Sequence, residues 1–172
     1  NNIYLYSMDG KKKTTITKGK YDVTDIIGVD ESSKLIYYTA AYPTAMDRNV
    51  FVVDFAGKNN TLLTSGEGTH RAVFSDDYGQ FYDYYSNINT PQKVSLMSLT
   101  NKTGKISKKT EKVLSEGEKL QVLAREYNLG KAELVKVPNG KGDEINGWIL
   151  KPANFDASKK YPVLFCNYGG PG

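Results

Sequence analysis

Histidine and cysteine, two residue types that often serve as nucleophiles, bases and metal ligands, are scarce in this 172-residue sequence. There is one histidine, His70, and one cysteine, Cys166. A single cysteine excludes an intrachain disulfide, and these two residues cannot supply the clustered ligands of a Cys- or His-based metal site, so we expect no metal or cofactor. The chain ends in Tyr168 followed by Gly-Gly-Pro-Gly. From the pattern alone, Tyr168 is either a neutral hydrogen-bond donor beside a glycine-rich loop or simply an aromatic residue at a strand end.

The other reactive side chains stand in contexts that favour structural roles. His70 opens a strand-like pattern, and we expect it to be structural and not catalytic. Cys166 ends the apolar run 161–166, where a cysteine most often serves as a small buried hydrophobic residue. The segment Ser65-Gly66-Glu67-Gly68 lies in a turn and lacks the strand-to-helix context of a G-x-S-x-G nucleophile elbow. Three aspartates close apolar strands and are interpreted as turn residues: Asp30, Asp76 and Asp77.

The elements that would position these residues begin with a repeat. Residues 3–10 recur as residues 50–57, and a third copy begins at Val94. Each of the first two copies is followed by a Thr/Leu strand, an apolar strand that ends in an acidic turn, and an aromatic strand. These strands are predicted at residues 14–17, 23–29 and 35–38, and again at 61–64, 70–74 and 81–85. Four short strands per roughly 45 residues is the period of a β-propeller blade, and no 3.6-residue period indicates helix pairs.

Residues 1–112 are therefore predicted to form about two four-stranded blades of a β-propeller. A blade buries its faces against its neighbours, and a closed propeller needs at least about four blades. Two blades alone leave apolar faces uncovered, so we expect further blades to precede Asn1, which itself begins inside a strand-like pattern. The thirteen tyrosines also suit half-buried strands.

Residues 113–130 are predicted to be a linker containing a short helix. The polar, lysine-rich residues 100–110 before it indicate a loop or an edge turn. Ser115 and Glu118 match the S-x-x-E capping box that opens helices. The residues that follow place one apolar face on a helix ending near Gly130: Leu120, Leu123, Ala124 and Tyr127.

Residues 131–172 do not continue the repeat and are predicted to begin a different domain. Residues 133–137 and 144–150 are predicted to pair as a hairpin around the turn-rich residues 138–143. The apolar run 161–166 is typical of a strand buried on both faces. Such a strand opening into a glycine-rich loop is the third-strand element of α/β-hydrolases, whose loop helps form the oxyanion hole. The predicted fold is mainly β: a partial β-propeller, a linker helix, and the first strands of a truncated α/β-hydrolase domain.

Residues 147–164, GWILKPANFDASKKYPVL, and residues 168–172, YGGPG, resemble the prolyl oligopeptidase family, and specifically its dipeptidyl peptidase IV branch. The propeller part is similar as well, at residues 16–19, Val23 and residues 35–38, which look like the last two blades of that family. The resemblance covers essentially the whole chain. It is specific at the end and moderate in the blades.

The resemblance implies a serine exopeptidase that releases N-terminal Xaa-Pro or Xaa-Ala dipeptides. Tyr168 occupies the position of the family tyrosine whose hydroxyl donates to the oxyanion, and residues 169–171 shape the loop. The Ser, Asp and His of the family's triad are not encoded here, and its acidic pair that holds the substrate amine would precede Asn1. We therefore expect this chain alone to be inactive, as a fragment of a peptidase.

Two alternatives stay open. The first is a propeller without catalysis that serves as a binding or scaffold module. The second is a sibling peptidase of the acylaminoacyl or tripeptidyl type, which would differ in the residues before Asn1 that grip the amino end of the substrate.

The composition limits the kinds of partner that the chain can bind. A net charge of +4 without a clustered basic stripe argues against binding of nucleic acid. No apolar run approaches the roughly 20 residues that span a bilayer, and we expect no targeting segment in these 172 residues. The resemblance implies a peptide substrate and a homodimeric parent protein that is periplasmic, extracellular or anchored to a membrane. The fragment itself is expected to self-associate through exposed strands.

Overall fold

The structure is a computed structural model that describes residues 1–102 and 105–167. The chain divides into two compact units, and the first comprises residues 1–127. A two-stranded antiparallel sheet opens this unit, with β1 (Tyr4–Tyr6) paired to β2 (Lys13–Thr15). Lys11 and Lys12 are exposed in the connection between the two strands.

A four-stranded antiparallel meander follows in the order β3 (Val23–Asp30), β4 (Leu35–Ala40), β5 (Asn49–Asp54) and β6 (Thr61–Leu62). The central pair β4–β5 runs from Leu35 opposite Asp54 to Ala40 opposite Asn49 without a register shift. These two strands are rich in β-branched and aromatic residues, which suit a pleated and buried surface. The apolar and aromatic strands predicted for the first repeat are confirmed.

A second meander repeats this order with β7 (Thr69–Phe74), β8 (Gln80–Asn87), β9 (Thr90–Lys102) and β10 (Lys105–Ser115). The loop or edge turn predicted over residues 100–110 is wrong for residues 100–102 and 105–110, which belong to the β9–β10 pair. β10 is an edge strand whose side chains are nearly all exposed, so its sequence carries no apolar alternation. Lysines along such an edge discourage pairing with another chain.

The core of the first unit lies on both faces of the first meander. One face packs against the second meander, in a cluster that joins Leu35, Tyr37 and Val52 to Phe81 and Met97. The opposite face packs against the chain around β1 and β2, in a cluster of seven residues: Ile3, Ile16, Ile36, Tyr38, Ala40, Phe51 and Val53. Two consecutive meanders packed in this way match the arrangement of neighbouring propeller blades, and the mainly β architecture is confirmed.

The second meander leaves its other face open. Val73 is 42% exposed and Tyr82 43% exposed on this face, although the two stand opposite each other in paired strands. Exposed apolar side chains were expected where a blade lacks a neighbour.

The one helix among the described residues is α1 (Glu118–Glu126). The predicted capping box is wrong: Ser115 ends β10, and Gly117 precedes the helix at φ 75° with no side-chain capping bond. A Cβ at Gly117 would lie 3.0 Å from the carbonyl oxygen of Gln92 and 3.1 Å from Pro91 Cβ, so the close approach and the positive φ both favour glycine. No residue of α1 is buried.

The second unit begins at Asn128. β11 (Ala132–Pro138) and β12 (Glu144–Leu150) form the predicted hairpin, in register from Ala132 opposite Leu150 to Pro138 opposite Glu144. The buried strand predicted for residues 161–166 is wrong, because residues 161–167 form neither strand nor helix. A strand needs a neighbour for its N–H and C=O groups, and in the described part of this unit β11 and β12 pair only with each other.

Candidate functional site

Tyr168, the predicted oxyanion donor, lies outside the described residues, as do the four residues after it. The structure instead describes the segment that leads to it. Val163, Leu164 and Phe165 are 85%, 88% and 83% exposed. This run therefore presents three large apolar side chains to solvent, and two residues separate it from the candidate position.

The loop before this segment is folded on itself. The ring of Phe155 stacks on that of Tyr161 with centroids 5.1 Å apart, and the Tyr161 hydroxyl accepts the backbone N–H of Asp156 at 2.9 Å. The Asp156 carboxylate accepts the hydroxyl and backbone N–H of Ser158 at 2.7 and 3.0 Å, and these bonds hold its pKa below the usual value. These contacts hold Tyr161, two residues before the exposed run, against the loop.

A shallow depression of about 430 Å³ lies beside this loop, lined by residues 128–131, Glu133, residues 151–153 and Phe155. Lys151 Nζ pairs with Glu133 Oε2 at 2.9 Å and lies 5.3 Å from the centre of the Phe155 ring. Gly130 packs against the Lys151 carbonyl, which a Cβ would approach to 2.2 Å. The lining contains the Lys151–Glu133 ion pair and a second lysine, Lys131, and it contains no Ser, Thr or Cys.

Cys166 is exposed, and the prediction of a buried cysteine is wrong. The reason is the same as for the run around it: the apolar strand that would bury the thiol does not form in the described chain. Nothing in its surroundings assigns it a catalytic part.

His70 lies in β7, as the sequence predicts, and is 6% exposed. Its Nδ1 lies 2.9 and 3.0 Å from the two carboxylate oxygens of Asp83 on the neighbouring strand, and its ring contacts that of Tyr85 at 4.7 Å. Within the described residues its buried Nε2 has no hydrogen-bond partner. The pair matches the His–Asp half of a catalytic triad, and among the described residues no nucleophile is bonded to Nε2.

Sequence reasoning missed the Asp83 partner. The signal was present only in the strand register, because Asp83 stands opposite Ala72 and is therefore the diagonal neighbour of His70 on the same face. Single-sequence patterns do not give register between strands, so the pair could not be read off the sequence.

The turn roles of the strand-end aspartates are clear for two of them. Asp30 accepts Ser32 Oγ at 2.7 Å and the Ser33 N–H at 3.0 Å. Asp77 accepts Ser75 Oγ at 2.7 Å and the Gly79 N–H at 2.9 Å. Asp76 is exposed in the same turn, and residues 65–68 connect β6 to β7. The prediction that these residues belong to turns is confirmed.

The described part of the chain holds no group of three or more His, Cys, Asp or Glu side chains placed to bind a metal ion. Across residues 1–102 and 105–167, no helix is long and apolar enough to cross a membrane.

Comparison with known proteins gives a consistent relationship. Residues 1–92 match the family model described as the dipeptidyl peptidase IV (DPP IV) N-terminal region. Dipeptidyl peptidase 4 of Arthroderma otae is 35% identical over 172 residues, which are 99% of this chain and 21% of the relative. Dipeptidyl peptidase 4 of Trichophyton rubrum is 36% identical over the same share of each chain.

A solved structure gives the same relationship in three dimensions. The crystal structure of Porphyromonas gingivalis dipeptidyl peptidase 4 superposes with a TM-score of 0.79 at 32% sequence identity. The match covers 94% of this chain and 22% of that one. The chain thus spans about a fifth of the length of the relatives that it matches.

Proposed function

The chain belongs to the dipeptidyl peptidase IV family, and from this membership we propose that it is part of a serine exopeptidase that releases N-terminal Xaa-Pro or Xaa-Ala dipeptides. The observation that carries the proposal is the match over 99% of the chain to proteins named dipeptidyl peptidase 4. This match extends over both compact units of the chain.

Within that protein, the two meanders would belong to a β-propeller and the second unit would open an α/β-hydrolase domain. Tyr168 would act as the oxyanion donor. A phenol suits this role because it is neutral at pH 7 and can be aimed at charge that appears only in the tetrahedral intermediate. The sequence around residues 161–172 and its family resemblance support this assignment.

The chain of 172 residues should not hydrolyse peptides by itself. Its sequence contains no G-x-S-x-G segment, and the reaction needs a nucleophile with its own base. Substrate peptide, a homodimeric assembly, and a location in the periplasm, outside the cell or at a membrane anchor belong to the same proposal for the longer protein.

The test uses the longer polypeptide that contains this chain, with a panel of chromogenic substrates. Release from Gly-Pro and Ala-Pro substrates with a free amino terminus is the expected result. Preference for N-acylated amino acids or for tripeptides would instead identify a sibling peptidase. No hydrolysis of any substrate, together with retained binding of peptides, would identify a non-catalytic propeller.

A further inference from the structure

The second unit contains two Asn-Gly dipeptides in different conformations. Asn139-Gly140 lies in the turn between β11 and β12, whereas Asn146-Gly147 lies within β12. The side-chain amide of an asparagine can be attacked by the backbone nitrogen of the next residue, and glycine hinders this attack least because it has no Cβ. Because the two dipeptides are identical, any difference between them must come from the structure.

The side-chain amide of Asn139 is polarised by its hydrogen bonds. Its Oδ1 accepts the backbone N–H groups of Lys141 at 2.7 Å and of Asp143 at 3.1 Å, and its Nδ2 donates to Asp143 Oδ2 at 3.1 Å. Two N–H donors on one carbonyl oxygen withdraw electron density from Cγ. The same donors stabilise the negative charge that develops on Oδ1 when Cγ is attacked, as an oxyanion hole does.

The attacking nitrogen is that of Gly140, and its surroundings are open. Gly140 is exposed at φ 73°, and a Cβ built on it would meet no atom within 4 Å. Among the described residues its N–H donates no backbone hydrogen bond in the turn, which is closed instead by the Asn139 N–H donating to the Asp143 carbonyl at 3.0 Å. Solvent therefore reaches the proton that the nitrogen must lose.

Asn146-Gly147 is held differently. Gly147 stands opposite Val135 in the β11–β12 register. Hydrogen-bonded and non-hydrogen-bonded pairs alternate along antiparallel strands. Because Asn139 and Asp143 are hydrogen-bonded, Val135 and Gly147 are a hydrogen-bonded pair as well, and the Gly147 nitrogen is occupied. An extended backbone also directs the Asn146 side chain to one face of the strand, away from the next nitrogen.

We propose that Asn139-Gly140 is a site of spontaneous self-modification through a succinimide. The Gly140 nitrogen forms a bond to Asn139 Cγ while the Cγ–Nδ2 bond breaks, and Nδ2 leaves as ammonia with the proton that Gly140 gives up. Water then opens the ring at either carbonyl and leaves an aspartyl or an isoaspartyl residue at position 139. The sequence needs water and no oxidant or reductant.

The product changes the hairpin that carries it. A carboxylate at position 139 replaces the Nδ2–H bond to Asp143 with a contact between like charges, which is destabilising. The isoaspartyl product also adds a methylene to the main chain within the turn. Because turn geometry sets the register of a hairpin, the modification loosens the β11–β12 pairing.

The test follows both sites in one sample. The 172-residue chain is incubated at mildly alkaline pH, folded and in denaturant, and digested with trypsin, which separates the sites into the peptides 137–141 and 142–159, because trypsin does not cleave between Lys151 and Pro152. Fragment ions distinguish Asn146 from Asn154 in the second peptide. Mass spectrometry then measures the replacement of amide by carboxyl in each peptide.

In the folded chain, modification at Asn139 should exceed that at Asn146 by roughly tenfold or more, a barrier difference of about 1.4 kcal/mol. In denaturant the two rates should converge, and the rate at Asn139 should not rise. Equal rates in the folded chain, faster reaction of Asn139 after unfolding, or a ratio that persists in denaturant would each overturn the proposal.

Two variants separate the site from its surroundings. Asn139→Gln keeps an amide but forces a larger ring on the attack, and it should abolish the signal in peptide 137–141. Asn146→Gln is the matched control, and it should leave the rate at Asn139 unchanged. A rate at Asn139 that falls with Asn146→Gln would contradict an origin in the turn.

Discussion

At the scale of single residues, the packing between the two meanders depends on Gly28. A Cβ built on Gly28 in β3 would lie 2.3 Å from the hydroxyl oxygen of Tyr78. Tyr78 has little room to retreat, because its ring stacks on that of Tyr37 at 4.5 Å and 5° and contacts Phe74. We expect Gly28→Ala to lower the free energy of unfolding by about 1–3 kcal/mol, the usual cost of overpacking, as measured by urea denaturation.

The control for this prediction removes the clashing atom. Tyr78→Phe deletes the hydroxyl, so the double variant should recover part of the loss, and the two changes should be non-additive. Gly147→Ala provides a second comparison, because its Cβ would meet Val135 Cγ2 at an ordinary 3.4 Å. Strict additivity of Gly28→Ala and Tyr78→Phe would show that the close approach is not the cause.

At the scale of turns, two aspartates couple stability to pH. Hydrogen bonds from the Ser32 hydroxyl to Asp30 and from the Ser75 hydroxyl to Asp77, followed by backbone N–H bonds, hold the pKa of each carboxyl below its usual 3.8. The unfolded state therefore binds protons first as the pH falls. The stabilisation is present above the unfolded pKa and is lost as the pH falls through the lower folded pKa.

We therefore expect the Tm to fall on acidification below pH 3.8, with a shallower fall in Asp30→Asn and Asp77→Asn. Thermal unfolding followed by circular dichroism across a pH series measures this. Asp76→Asn is the matched control, since Asp76 lies in the same turn as Asp77 and is exposed. Equal pH dependence in all three variants would argue against the turn aspartates as the cause.

The sequence predicts strands well where burial requires a regular pattern of apolar residues. Both apolar strands β4 and β5 are buried on two faces. They could be predicted because their hydrophobic runs are continuous and belong to the repeat. β10 was missed because an exposed edge strand needs no apolar pattern, and only Ile106 in it is buried. The capping box at Ser115 failed because strand pairing with Val94 held that residue against its local preference.

The site was predictable to a lesser degree. The motif at residues 168–172 is local in sequence, so it could be recognised without a structure. The His70–Asp83 pair depends on register between strands, and the exposure of Cys166 depends on which strands are present to cover it. The residues near His70 and near Cys166 in sequence therefore do not determine the pairing of the one or the exposure of the other.

At the scale of the whole molecule, the exposed apolar run should make the isolated chain associate. Val163, Leu164 and Phe165 are each more than four-fifths exposed, and contiguous apolar surface of this kind drives association. We expect light scattering to report a mass that grows with concentration. Val163→Asp with Phe165→Asp should reduce this growth, because burying an unpaired charge is costly.

A matched pair of substitutions elsewhere controls for net charge. Lys11 and Lys12 lie at an exposed hairpin tip, and replacing both by neutral Gln shifts the charge by the same amount without touching the apolar run. A monomeric chain at every concentration, or equal effects of the two double variants, would contradict association through residues 163–165.

The most direct test of the peptidase assignment is steady-state hydrolysis of a Gly-Pro chromogenic substrate by the longer polypeptide that carries Tyr168→Phe. If Tyr168 donates to the oxyanion, kcat should fall by roughly 10²–10³, the usual cost of one such donor, with little change in KM. Tyr127→Phe, at a tyrosine that is 75% exposed, should retain the full rate. An undiminished rate for Tyr168→Phe would show that the Tyr168 hydroxyl does not stabilise the oxyanion.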